Sequence, residues 1–87
     1  MVEQTVHRRN PDVSWRVIEG QAVLVFNIEG EVQVLNEVGT YIWEHVEEED
    51  VDSLARNIAE TFAVSEEEAR RDLLAFLQDL RRSGALL

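Results

Sequence analysis

Apolar and polar positions along the chain follow two periods in succession. Ser14 to Glu19 carries Trp15, Val17 and Ile18, Ala22 to Ile28 is nearly all apolar, and Glu31 to Leu35 alternates with the two-residue period of a half-buried strand. Gly20 and Gly30 mark the two joins. The pattern predicts a three-stranded antiparallel meander, and because Glu-Gly is a weaker hairpin signal than Asn-Gly it fixes no particular turn type. The middle strand, with Leu24, Phe26 and Ile28 on one face and Val23 and Val25 on the other, should be the most buried. The third strand is then an edge unless something covers it.

At Asn36 the period becomes helical. Asn36 can accept from the free N–H groups of a following turn, Glu37 suits the positive helix end, and Val38, Ile42 and Val46 fall at four-residue spacing, so a first helix should run from about Glu37 to Val46. The run Glu47-Glu48-Glu49-Asp50 reads as a solvated loop that caps the next helix. That second helix carries Val51, Leu54, Ala55, Ile58, Ala59 and Phe62 as one stripe. The third opens on Ser65 and Glu68 in capping-box spacing and places Ala69, Leu73, Phe76, Leu77 and Leu80 on one face. Gly84 should stop it after Arg81 and Arg82. Residues 1–13, poor in apolar positions and holding the only proline, Pro11, read as an extended arm. The expected fold class is therefore α+β, three strands followed by three helices. With 87 residues the chain makes one domain, residues 1–87, with a radius of gyration of about 12 Å.

Charge narrows the function classes. Eighteen carboxylates face eight cations, all arginine, for a net charge of −10, a balance that repels nucleic acid and anionic lipid surfaces. A DNA-binding reading of the third helix meets a further objection. Its first turn, Glu66-Glu67-Glu68, would face phosphates. The absence of cysteine excludes a disulfide framework and thiolate metal sites. Met1-Val2-Glu3-Gln4-Thr5 lacks the regions of a signal peptide, and no apolar run approaches the roughly 20 residues of a membrane span, so a cytoplasmic protein is expected. Two histidines, His7 and His45, cannot build a usual zinc site without cysteine, and neither a phosphate loop nor a nucleophile elbow is present. No catalysis, cofactor or metal is expected. Asp52-Ser53-Leu54 matches the attachment tripeptide of acyl carrier proteins, but the hairpin pattern contradicts their all-helical fold.

Several stretches together resemble a known family. Leu35-Asn36-x-x-Gly39-x-x-Ile42-Trp43, then Leu54-Ala55-x-x-Ile58-Ala59, then Asp72-Leu73-x-x-Phe76-Leu77-x-x-Leu80-x-x-x-Gly84-x-Leu86-Leu87 are similar in order and spacing to the PqqD family, with Arg9-x-Pro11-x-Val13 also fitting. The family includes the peptide chaperone of pyrroloquinoline quinone biosynthesis and, more broadly, recognition domains that serve enzymes modifying ribosomally made peptides. The resemblance implies a small winged-helix-like domain without catalysis of its own. It also implies that the leader of a precursor peptide lies between the third strand and the third helix. The domain would then deliver that leader to a modifying enzyme, often a radical S-adenosylmethionine protein. A repurposed winged helix that binds another protein is the alternative.

An exposed third strand suits that mode, because an extended peptide can add to it as a further strand. Glu31, Val32, Gln33, Val34 and Leu35 are the expected template. On the third helix, Leu73 and Leu77 of the core face border a second stripe of Arg70, Leu74 and Arg81, within about 100° of Leu73 on the helical wheel, and Gln78 lies beyond it. This stripe is the expected opposite wall. Arg70, Arg71 and Arg82 have acidic neighbours one turn away, whereas Arg81 has none, so Arg81 reads either as a cation suited to the helix C-terminus or as a contact for a leader carboxylate. A strand edge of this kind can also pair with its own copy, so a homodimer is compatible with the same surface.

Overall fold

The computed structural model describes residues 6–87. The first five residues, on which the reading of the chain start rests, lie outside the described residues. Three strands, β1 (Val13–Ile18), β2 (Gln21–Phe26) and β3 (Glu31–Val34), precede three helices, α1 (Glu37–His45), α2 (Val51–Phe62) and α3 (Glu66–Ser83). The sheet is an antiparallel meander in the order β1-β2-β3, which leaves β3 at one edge. The Cα radius of gyration is 12.9 Å.

Local chemistry explains the boundaries. The β1–β2 turn closes on the pair Ile18 and Gln21 with Glu19 at φ 52° and Gly20 at φ 81°. Two successive positive φ values are those of a type I′ turn, whose twist matches that of the strands it joins. The β2–β3 loop closes on Phe26 and Glu31, where the Gly30 N–H donates to the Phe26 carbonyl at 2.7 Å. Ile28 consequently falls in this loop and is 77% exposed, so the expected continuation of the buried face through Ile28 does not occur. The buried face of β2 is Ala22, Leu24 and Phe26. Each helix begins as its sequence predicts: side-chain oxygens of Asn36, Asp50 and Ser65 accept from the N–H groups of Gly39, Ser53 and Glu68. Gly84, at φ 90°, ends α3.

Helix α1 packs against β2 of the sheet and against α2, and α2 packs on α3. Trp43, Leu24, Ile42, Leu54, Leu73, Leu80 and Val46 are the largest fully buried side chains, and each removes roughly 1.5–3 kcal/mol worth of apolar surface from water. Residues 8–10 of the arm are pinned to the C-terminal end of the chain. Asn10 N–H donates to the Ala85 carbonyl and Leu87 N–H to the Arg8 carbonyl, around an isolated bridge between Arg9 and Leu86. Arg9 is the centre of this clamp. Its guanidinium donates to the Trp43 carbonyl at 2.6 Å, pairs with Glu47 at 3.2 Å and lies 4.9 Å and 5.6 Å from the ring centroids of Trp15 and Trp43.

Candidate functional site: a cleft at the free sheet edge

The corner where β3 becomes α1 determines what the sheet edge faces. Leu35 extends the ladder by donating its N–H to the Ala22 carbonyl, and Thr40, buried one turn into α1, accepts from the Ala22 N–H at 2.8 Å and donates to the Leu35 carbonyl. One hydroxyl thus ties β2, the end of β3 and α1 together. Gly39 permits the other close approach. A Cβ at that position would stand 3.0 Å from Cζ of Phe76 and 3.3 Å from the capping oxygen of Asn36, so the absent side chain makes room for the Phe76 ring.

Beside this corner lies a cleft of about 420 Å³, within the roughly 300–1,000 Å³ of ordinary binding clefts. Gln33, Val34 and Leu35 supply its strand wall, Val38 and Ile42 of α1 and Ile58 and Phe62 of α2 its floor, and Ala69, Asp72, Leu73 and Phe76 of α3 the opposite wall. The lining is mostly apolar, and Asp72 is its single charged side chain. On the outer face, Val32 and Val34 are 62% and 57% exposed. They stand across from Val25 and Val23, so the edge strand carries apolar side chains towards solvent.

The sequence-predicted residues divide at this cleft. Gln33, Val34, Leu35 and Leu73 line it together, while Glu31 and Val32 continue the same strand upstream of it. Arg70, Leu74, Leu77, Gln78 and Arg81 are not in the lining. Parts of the expected flank make other contacts. Arg70 pairs across the helix pair with Asp52 of α2, not with its own helix, and the pairing holds the Asp52 carboxyl below the usual carboxylate range. Leu77 is core. Arg81 lies close enough to His7 of the arm that its charge, after burial, helps lower the His7 pKa. The α3 residues in the lining besides Leu73 are Ala69, Asp72 and Phe76, from the other side of the core face. By sequence alone Phe76 falls on the core face and Asp72 carries no site role. The signal lay in the asymmetry of that face, whose aromatic side suits an apolar groove better than its arginine side.

Among the described residues no group of three His, Cys, Asp or Glu side chains could hold a metal ion, and no helix is long and apolar enough to cross a membrane. Ser53, of the carrier-protein tripeptide, donates to Glu49 as part of the α2 cap.

Fold and cleft together describe a small α+β domain with an apolar groove along a free strand edge. The chain belongs to the PqqD family: the model of coenzyme PQQ synthesis protein D matches residues 21–86. Two solved structures are similar. TbiB1 in complex with the TbiA(beta) leader peptide superposes with a TM-score of 0.84 at 26% identity, over 91% of this chain and 93% of that one. Lasso peptide synthetase B1 complexed with the leader peptide gives a TM-score of 0.89 at 23% identity, over 95% and 99%, a likeness of fold. No curated protein matches the chain.

Proposed function

We propose that this protein binds the leader of a ribosomally made precursor peptide as an added strand on β3 and presents it to a modifying enzyme. The observation that carries the reading is the conjunction of a free β3 edge with an apolar cleft between it and α3. An added strand gains main-chain hydrogen bonds from the edge, and its alternate side chains turn into the cleft towards Leu73 and Phe76. Membership in the PqqD family and the leader peptide bound by TbiB1, the 26% identical neighbour, support it. The role is that of an adaptor without catalysis, in the cytoplasm. The modifying enzyme, of the radical S-adenosylmethionine class, rests on the family resemblance alone. Its test is capture of that enzyme from a co-expressing strain in a peptide-dependent manner.

A short strand-addition interface has an affinity on the order of micromolar. Calorimetry with the leader of the precursor encoded beside the gene tests the cleft. Phe76→Ala should weaken binding by about tenfold, the loss of an apolar anchor worth roughly 1.4 kcal/mol or more. Leu74→Ala, on the opposite flank and half-exposed, should leave it unchanged. Equal losses, or a loss only with Leu74→Ala, would move the peptide to the stripe of Arg70, Leu74 and Arg81.

A further inference from the structure

Asp72 is a carboxylate set in an otherwise uncharged wall, and among the described residues it has no cationic partner. Its neighbours one turn away are Glu68, Ala69, Ala75 and Phe76. The ion pairs among the described residues engage Arg9, His45 and Arg70 with other acids, and none reaches Asp72. The polar groups that share the cleft do not compensate it. Asn36 already uses its side-chain oxygen to accept from Gly39, and Gln33 stands on the strand wall.

We infer that Asp72 is a specificity-determining residue that selects peptides placing a lysine or arginine beside it on the cleft side of the added strand. This rests on the strand-addition reading and deepens it. Asp72 is solvent-exposed, so a cation at that register gains a screened partner and a carboxylate there meets like charge. The net charge of −10 attracts any cationic peptide. Local selection by Asp72 is therefore a dependence on position along the peptide, and a general field gives none.

The test uses short synthetic peptides, acetylated and amidated, in which Val alternates with Thr and a single Lys, Gln or Glu is walked through every position. Binding is read by fluorescence anisotropy at low salt. Wild-type protein should show one position at which Lys binds about threefold to fivefold tighter than Gln, and Glu correspondingly weaker. Asp72→Asn should abolish that preference. Asp79→Asn, which changes the net charge equally from outside the cleft, should keep it. A preference that survives Asp72→Asn, or one spread evenly over all positions, overturns the inference and leaves strand addition standing. Failure of every peptide, the neutral ones included, to bind overturns strand addition and the inference with it.

Discussion

Replacing Thr40 by valine removes a single hydroxyl from the corner that places β3 beside the cleft. The side chain is 5% exposed, and its oxygen is the acceptor for the Ala22 N–H at 2.8 Å. Valine has nearly the same shape, so the change leaves a buried amide without a partner, a loss of about 1–3 kcal/mol. The apolar methyl that replaces the hydroxyl returns part of this, to a net destabilisation of about 1–2 kcal/mol. In a domain of this size that lowers Tm by about 5–15 °C. In urea the midpoint should fall by about 1 M with m unchanged, since the surface exposed on unfolding is the same. Thr40→Ser keeps the hydroxyl and should lose less than half as much. Amide exchange locates the effect: Ala22 should exchange faster in Thr40→Val under conditions where other β2 amides keep their relative order. A Thr40→Val protein within about 0.3 kcal/mol of wild type, with Ala22 protection unchanged, would refute the assignment of the hydroxyl as the tie between sheet and helix.

Three further outcomes follow from the same geometry. Arg9→Lys keeps a charge for Glu47 but loses the planar fork that also reaches the Trp43 carbonyl and both indole faces, and should cost about 1–2 kcal/mol in urea unfolding, with a change in tryptophan emission because both tryptophans border the clamp. Glu19→Asn should stabilise by about 0.5–1 kcal/mol, because asparagine tolerates the left-handed conformation that φ 52° imposes and suits a type I′ turn; a destabilised variant would contradict the turn assignment. The His7 pKa is lowered by burial and then by Arg81, so its folded value lies below the unfolded value of about 6.5. Its contribution to stability is full above that unfolded value and is lost as pH falls through the folded one, and His7→Gln should flatten this part of a pH–stability curve.

Much of the fold was legible because it is written in local signals. Asn36, Asp50 and Ser65 cap helices wherever they stand, and the alternation of Glu31 to Leu35 requires no knowledge of its partners. Ile28 was not legible, since an apolar residue next to Asn27 reads as strand until the pairing of Phe26 with Glu31 is known. Arg9 showed only as part of a family-like spacing. Its contacts with Trp43 and Glu47 join residues 34 and 38 positions away, and Trp15 comes to it from β1. The cleft was half legible. The strand wall follows from an edge and a period of two, but a helical wheel has two flanks, and which one meets β3 is decided by how α3 packs on α2. Arg70 meets Asp52 of α2 on one flank, and the absent side chain at Gly39 leaves room for Phe76 of the other beside α1. Neither is visible from the spacing within α3 alone.

On the proposed reading, the free edge of β3 and the Asp72–Phe76 side of α3 form one peptide-binding cleft. Titration of isotope-labelled protein with the leader peptide, followed by backbone amide shifts and exchange, tests it most directly. Amides of Val32 and Val34, whose N–H groups face the free edge, should shift and gain protection, together with shifts at Ala69, Asp72, Leu73 and Phe76. Perturbations confined to the β1 edge, or to the Arg81 end of α3 beside the arm, with β3 amides exchanging as in the free protein, would contradict it.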